Sequence, residues 1–229
     1  MSGESAHPAF ILAVSGLVRE AAIAAGHQVR TVAAGGDRIE ALIESAIAPG
    51  VAGILSFGIA GGLEPDLAPG TCILGRRVIT ASGRWAADSA WVACIATRLP
   101  DSVCGDIAGV DAPAASLSDK RDLRSATGAI AVDMESHIVA RAAAAHGLPF
   151  AALRVICDPA DRALPAAALA GVSADGRTDV RAVVRSAMAS PRQMPGLLRV
   201  AGDARRAFAQ LRRHRHALGP GLGFPGFGS

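Results

Sequence analysis

The sequence predicts a layered α/β domain with helices on both faces of a sheet. Apolar runs alternate with amphipathic segments along the chain, the pattern of strands that alternate with helices. One run, residues 51–57, is apolar throughout, as expected for a strand covered on both faces. With 229 residues, of which 51% are hydrophobic, the chain is long enough for one well-buried domain and short for two.

The N-terminal third predicts three strands and two helices. The strands are expected at residues 10–14, 29–34 and 51–57. After the first strand, Ser15 and Gly16 turn the chain into a helix that carries Arg19 and Glu20. The second helix places four apolar residues on one face, namely Leu42, Ile43, Ala46 and Ile47.

The middle of the chain adds three strands, at residues 71–80, 102–110 and 148–156, and a helix at residues 133–146 that Gly147 ends. In folds of this kind ligands gather at the carboxyl ends of the strands. Two motifs follow predicted strand ends, at residues 58–62 and 157–161. We therefore expect these two motifs to converge.

The C-terminal part has a different pattern. Pro195 opens a helix with an apolar stripe and arginines mostly off that stripe. An ordinary surface helix packed on the domain is the first interpretation, and a helix that touches anionic lipid is the second. We expect a single domain over residues 1–216 and a Gly/Pro-rich, disordered tail over residues 217–229. The stripe comprises Leu197, Leu198, Ala201, Ala204, Phe208 and Leu211.

Composition excludes several classes of function. The formal charge of +3 is mild and aromatic residues make up only 3%, so the stacking surface of a nucleic-acid-binding protein is missing. The four cysteines have no metal-type spacing. No apolar run reaches the ~18 residues of a membrane span, and the N-terminus does not resemble a signal peptide. We expect a cytoplasmic protein, with peripheral contact to the inner membrane as an option.

Three motifs carry the chemistry, at residues 58–63 (GIAGGL), 132–136 (VDMES) and 154–161 (RVICDPAD). They combine glycines, an apolar–acidic pair and a carboxylate at a strand end. Cutting a sugar–base bond requires an acid for the base, a group that holds the sugar hydroxyls and a placed nucleophile. The transition state resembles an oxocarbenium ion, which such a set suits.

In this order the motifs resemble the nucleoside phosphorylase and nucleosidase superfamily, over about residues 10–165. The resemblance implies a three-layer αβα domain with a central mixed sheet, no cofactor, no metal and, commonly, a homodimer. The segment at residues 158–165 (DPADRALP) and the arginine-rich helix look most like the hopanoid-associated phosphorylases. That subgroup implies release of adenine from adenosylhopane, a lipid-linked nucleoside. A methylthioadenosine/S-adenosylhomocysteine nucleosidase and a non-catalytic nucleoside-binding protein are the alternatives.

The resemblance assigns roles to two acids. Glu135 matches the ribose-binding glutamate, and Met134 would pack on the sugar; without the other motifs, Glu135 could be an acid at a helix N-terminus. Asp158 matches the acid that protonates the purine ring. Its alternative role is a helix N-cap, since Pro159 suits a helix start.

The nucleophile is the open point. The glycine motif, Gly58, Ile59, Ala60 and Gly61, matches the turn that lines the sugar and nucleophile pocket, and it lacks the GxGxxG spacing of a dinucleotide loop. Glu20 matches the glutamate with which hydrolytic relatives position water. Arg19 and Arg38, with Gly16, instead suit inorganic phosphate as a co-substrate, which we take as the acceptor because the resembling subgroup consists of phosphorylases.

The base pocket is expected from Ala112, Pro113, Val132 and Asp133. Relatives often stack the purine on an aromatic residue in the loop after the fifth strand, and this loop has none. A pocket open to a bulky apolar 5′ substituent would fit that difference.

Overall fold

The computed structural model describes residues 9–36, 38–165 and 194–227. Strands and helices alternate through most of these ranges. In chain order they are β1 (Phe10–Ser15), α1 (Val18–Ala24), β2 (Val29–Ala33), α2 (Arg38–Ala46), β3 (Val51–Gly62), β4 (Cys72–Ile79), β5 (Arg84–Ala86), α3 (Ser89–Arg98), β6 (Val103–Gly109), α4 (Leu117–Thr127), β7 (Ala131–Asp133), α5 (Ser136–Ala145), β8 (Phe150–Asp158) and α6 (Met194–Leu218).

The central sheet is mixed, as expected, and part of it closes on itself. Strand β3 pairs in parallel with β1 and β8 and antiparallel with β7. Strand β4 runs antiparallel to β8 and parallel to β6, which is parallel to β7. Strands β3, β8, β4, β6 and β7 therefore form a ring, and β1 and β2 extend the sheet beyond β3. Closure removes exposed edges and fixes the strand ends relative to one another.

Two hydrophobic clusters lie on the two faces of the sheet. Because successive strand residues point to opposite faces, Ile11 joins Trp91 of α3 and Phe208 of α6 in one cluster. Its neighbour Leu12 joins Ile39 of α2 and Val139 of α5 in the other. The three-layer αβα arrangement is thus confirmed.

The structure differs from the predicted elements in several places. Helices α3 and α4 and the short strands β5 and β7 are absent from the prediction. Helix α4 is strongly polar with few apolar residues, and it begins at a capping box of Ser116 and Asp119. Strands β5 and β7 have three residues each, too few to show an alternating pattern. Strand β3 also continues through Gly62, so the glycine motif is strand and not a turn after it.

Helix α6 packs through the C-terminal half of the predicted stripe, and not through its N-terminal half. Phe208 and Leu211 are buried, together with Ala207 and Leu218, whereas Leu198 is 68% exposed. No helix in the described ranges has both the length and the apolar character to cross a membrane.

The expected disorder of the tail is wrong for residues 217–227. Leu222 is fully buried, and its carbonyl accepts a hydrogen bond of 3.0 Å from the Trp91 indole N–H. Phe224 packs edge-on against Trp91, with ring centroids 4.8 Å apart. The apolar residues among the glycines and prolines anchor this segment to the core, and Gly219 and Gly223 adopt the positive φ values that its turns need.

Candidate active site

The three motifs meet at one end of the closed ring. Gly61 of β3 lies opposite Asp158 of the parallel strand β8. On the other side of β3, Gly61 lies opposite Val132 of β7. The convergence expected from the strand ends is therefore present, and two buried cations organise the acids around it.

The first cation is Arg154, which is fully buried in β8. Its guanidinium forms a close ion pair with Asp133 and lies 3.6 Å from Glu135 Oε2. It also donates to the hydroxyl groups of Ser56, at 2.6 Å, and Ser136, at 3.1 Å. We call Arg154, Asp133, Glu135 and the nearby Glu20 the arginine centre.

One nitrogen of this guanidinium, Arg154 Nη1, is buried and has no hydrogen-bond partner among the described residues. It lies beside Gly58, where an added Cβ would be 2.6 Å from Nη1 and 2.6 Å from Glu20 Oε1. Glycine at position 58 therefore lets both polar groups lie against the strand. An unpaired buried donor is costly, so a ligand atom that accepts from it would be held firmly.

Glu20 lies on α1 with its carboxylate in the interior. One oxygen accepts a 2.7 Å hydrogen bond from the Ile59 amide, and the other accepts a 2.9 Å bond from the Leu17 amide. Burial raises the pKa of Glu20, while Arg154 and the two amides oppose the rise. Glu20, which the resemblance matches to the water-positioning glutamate, therefore contacts the glycine motif directly.

Glu135 occupies the N-cap position of α5, yet its side chain caps nothing. The carboxylate of Asp133 performs that role, accepting from the Ser136 amide at 3.2 Å. Glu135 therefore does lie at a helix N-terminus, as the alternative explanation holds, but it makes no capping hydrogen bond there. Its carboxylate lies against Gly16, where any Cβ would overlap Oε1, and its side chain retains 16% exposure.

The pKa of Glu135 is raised to about 8, chiefly by burial. Arg154 opposes this rise, and the neighbouring acids Asp133 and Glu20 add to it. One guanidinium lies near three carboxyl groups. When all three carboxyl groups are ionised, their negative charge exceeds the single positive charge of Arg154.

The second cation is Lys120 of α4, which is 1% exposed. Its ammonium donates to Asp158 Oδ2 at 2.6 Å, to the Pro159 carbonyl at 2.7 Å and to the Arg162 carbonyl at 3.0 Å. We call Lys120, Asp158 and these two carbonyls the lysine centre. Burial raises the pKa of Asp158, and the Lys120 ammonium opposes the rise.

The N-cap alternative for Asp158 is not supported, because residues 159–165 form turns and irregular backbone. The Asp158 side chain is 15% exposed. Both its carboxylate oxygens and Val132 Cγ1 lie 3.1–3.3 Å from the Cβ position of Gly61. The expected base-pocket residue Val132 is thus a neighbour of the expected acid.

Several predicted site residues lie elsewhere. Asp133 binds Arg154 inside the domain, so it belongs to the arginine centre and not to the base pocket. Ala112 and Pro113 are exposed in the loop after β6, and Met134 is half-buried between β7 and α5. Ala60, in contrast, is buried within β3.

The two predicted phosphate-binding arginines are not drawn into the site. Arg19 is exposed, and its guanidinium stacks on the Phe208 ring at 4.1 Å from the centroid. Arg38 is an exposed residue of the first turn of α2. In the described ranges neither arginine forms a hydrogen bond or ion pair with the acids of the arginine centre.

Sequence reasoning missed both cations as site residues. Arg154 begins the third motif inside an otherwise apolar strand. A charged residue in a buried strand needs partners, so its position could have indicated an ion pair in the interior. Lys120 is the only lysine among 23 basic residues, and it lies in a helix that the sequence pattern does not predict. The hydroxyls of Ser56 and Ser136 gave no signal of their own.

A family model decides the class of this chain. The model for the phosphorylase superfamily matches residues 12–189. The chain belongs to the phosphorylase superfamily. The family expected from the three motifs is therefore confirmed, and membership supports an enzyme that cleaves N-glycosidic bonds of nucleosides.

Several solved structures have the same fold as this chain, although their sequence identity to it is low. Futalosine hydrolase of Helicobacter pylori is 15% identical, with 92% of this chain and 97% of that chain covered and a TM-score of 0.67. S-adenosylhomocysteine nucleosidase from Streptococcus pyogenes is 16% identical, covering 94% and 99%, with a TM-score of 0.63.

A third similar structure is the 5′-methylthioadenosine/S-adenosyl homocysteine nucleosidase of Campylobacter jejuni. It is 16% identical, with 90% of this chain and 99% of that chain covered and a TM-score of 0.59. These likenesses establish the shared fold. A search of curated protein sequences gives no match.

Proposed function

We propose that this superfamily member hydrolyses the N-glycosidic bond of a 5′-modified adenosine, releasing adenine and a free sugar. One observation carries the proposal. The Glu20 carboxylate and Arg154 Nη1, which has no hydrogen-bond partner among the described residues, both lie beside Gly58. These groups provide an acceptor and a donor for one small polar molecule between the sugar-side and base-side acids.

The sugar would lie at Glu135. A carboxyl group can hydrogen-bond two adjacent hydroxyls, and it does so most strongly when ionised, which the pKa of about 8 places at mildly alkaline pH. Glu135 also keeps part of its side chain exposed. As the glycosidic bond breaks, positive charge develops on the sugar. A positive sugar favours ionisation of the acids in the arginine centre, so this centre would stabilise that charge more than it stabilises the neutral substrate, which is the requirement for catalysis.

Water would be held between Glu20 and Arg154. The Ile59 amide fixes one oxygen of Glu20 at 2.7 Å, and that oxygen retains a lone pair for a water proton. Arg154 Nη1 can donate to the water oxygen. Glu20 would accept the water proton as the oxygen bonds to the anomeric carbon, so it acts as a general base.

The base would leave toward Asp158. Its electron pair moves onto the purine ring when the bond breaks, and a proton from the Asp158 carboxyl neutralises it. Burial favours the protonated carboxyl that this step needs. Val132 beside Asp158 supplies an apolar contact for the ring.

The sequence favours phosphate as the acceptor, and the geometry favours water instead. The arginines expected to clamp phosphate are exposed, and Arg19 stacks on Phe208. The buried Arg154 is already opposed by Asp133, Glu135 and Glu20. These carboxyl groups would repel a phosphate dianion.

Adenine release in phosphate-free buffer tests the proposal. The substrates are methylthioadenosine, S-adenosylhomocysteine and adenosylhopane, each with and without added phosphate. We expect release from at least one without phosphate, a free sugar as product, and a loss of ~10²-fold or more in Glu20→Gln. Arg38→Gln is the matched control and should keep the wild-type rate.

Two results would contradict the proposal. Release that requires phosphate and yields a sugar 1-phosphate would restore phosphate as the acceptor. Binding of all three nucleosides without turnover would make the protein a nucleoside-binding protein. Adenine release from adenosylhopane alone would identify it as the substrate, as the sequence resemblance leads us to expect.

A further inference from the structure

The lysine centre contains the only lysine of the chain, among 22 arginines. Its side chain is buried, although lysine is almost never buried without partners. An ammonium has three donors, and Lys120 uses all of them, on Asp158, Pro159 and Arg162. A planar guanidinium fork cannot direct three donors to acceptors arranged around one atom, so this position needs lysine.

The three acceptors belong to one segment, which begins at the end of β8 with Asp158. Lys120 reaches it from α4, 38 residues earlier in the sequence. A second link joins the same regions, because the Leu164 amide donates to the Ala115 carbonyl at 2.9 Å. The lysine therefore fixes both the acid and the backbone that follows it.

The two oxygens of Asp158 are not equivalent. Oδ2 accepts from Lys120, whereas Oδ1 has no side-chain donor among the described residues, and both oxygens lie 3.2–3.3 Å from the Cβ position of Gly61. Lys120 thus sets the rotation of the carboxyl group and leaves Oδ1 for the ligand. Three charged or ionisable groups surround this carboxyl, namely Lys120, Arg162, whose guanidinium pairs with Asp203 of α6, and the adjacent thiol of Cys157.

We propose that Lys120 is a positioning residue for base release, which aims Asp158 Oδ1 at the departing purine and stabilises the carboxylate that remains after the proton is given. This inference rests on the hydrolase proposed above. When the bond between the sugar and N9 breaks, its electrons go to the purine, the Oδ1–H bond breaks, and the proton moves to N7. Asp158 is then an anion 2.6 Å from a fixed cation, so the acid is stronger than burial alone would allow.

The test compares two leaving groups in Lys120→Met, a variant with an apolar side chain of similar length. A purine needs protonation to leave, whereas nitrophenolate leaves without an acid. We expect kcat/KM for methylthioadenosine to fall ~10²-fold and that for 4-nitrophenyl riboside to fall by less than about threefold. Arg121→Met, an exposed change on the same helix, is the control.

Equal losses on both substrates would overturn the proposal, because they would show that Lys120 merely supports the fold. The pH profile adds a second criterion: without the ammonium, the limb of kcat/KM that reports loss of the acid proton should move to higher pH. A profile that keeps its wild-type position would also overturn it.

A measurement on the unmutated protein covers the case in which Lys120→Met does not fold. In protein labelled with ¹⁵N-lysine, the NMR spectrum has a single side-chain Nζ signal. The chemical shift of this signal should change with pH as Asp158 titrates, and this pH-dependent change should be absent in Asp158→Asn. A signal without this change in the unmutated protein would contradict the proposal. If wild type releases no base from any nucleoside, the proposed function fails, while this signal still reports whether Lys120 and Asp158 are coupled.

Discussion

The arginine centre and the lysine centre each hold a positive charge inside the protein, but they satisfy it in different ways. Both place a buried cation next to acids, and both involve strand β8, which contains Arg154 and Asp158. Arg154 faces three carboxyl groups and leaves one nitrogen unpaired among the described residues, whereas Lys120 faces one carboxylate and satisfies all its donors. The first site is incomplete without a ligand, and the second is complete.

This difference matches the two halves of the proposed reaction. The sugar becomes a cation, and the arginine centre has carboxylates in excess to receive it. The base becomes an anion, and the lysine centre has an acid whose conjugate base is already paired. Substitutions in one centre should therefore disturb one half of the reaction more than the other.

Removing Arg154 should have the largest effect. Arg154→Met leaves Asp133, Glu135 and Glu20 buried without their cation, and breaking a buried ion pair costs about 3–5 kcal/mol. We expect activity to be lost and the free energy of unfolding to fall by about that amount in urea titrations. A variant within about 1 kcal/mol of wild type would show that the acids do not depend on Arg154.

Asp158→Asn tests the base side alone. The amide cannot protonate the purine, so kcat should fall by ~10²-fold or more while nucleoside binding is largely kept. Steady-state kinetics and calorimetric binding separate these effects. Wild-type turnover in this variant would remove Asp158 from the mechanism.

Glu135→Gln tests the sugar side alone. Above pH 8, where Glu135 is ionised, charge-assisted hydrogen bonds to two hydroxyls would be lost, at about 1.5–3 kcal/mol each, so both binding and rate should weaken by at least ~10-fold. The contrast with Asp158→Asn, which spares binding, is the informative result. Unchanged kinetics would mean that the ribose lies elsewhere.

Stability should depend on pH through the arginine centre. The pKa of Glu135 rises from 4.5 to about 8 on folding, so the folded state holds a proton that the unfolded state loses between these values. This contribution is fully present below pH 4.5 and is lost as pH rises through 8, with a slope of up to about 1.4 kcal/mol per pH unit.

Thermal unfolding from about pH 5 to about pH 9, which spans the titration of Glu135, measures this slope. Glu135→Gln should flatten it, while Glu40→Gln, a change of an exposed glutamate on α2, should leave it intact. A wild-type stability that increases across this pH range would contradict the raised pKa.

Arg19→Gln should have the smallest effect. Arg19 stacks on Phe208 outside both centres, so the loss should be about 0.5–1 kcal/mol of stability with no change in turnover. Kinetics with and without phosphate check this expectation. A phosphate-dependent loss of activity would return Arg19 to the site.

The alternation of strands and helices and the meeting of two motifs could be predicted from the sequence, because apolar runs and strand ends are local patterns. The family was predicted from its three motifs, and the mixed sheet from that resemblance. Glu135 and Asp158 could be proposed as site residues because they stand in such motifs.

The cations were missed since their roles depend on contacts between distant parts of the chain. Pairing of β8 with β3 places Arg154 opposite Gly58, where Glu20 of α1 also lies. Lys120 lies on a polar helix with few apolar residues, which the apolar pattern of the sequence does not reveal.

A crystal structure with a carbon-linked 9-deaza analogue of methylthioadenosine tests the division between the centres most directly. Its bond cannot be cleaved, and its N7 carries a proton. We predict N7 within about 3.2 Å of Asp158 Oδ1, ribose hydroxyls on Glu135, and a water between Glu20 and Arg154. A purine bound away from Asp158, or a phosphate in place of the water, would contradict this division.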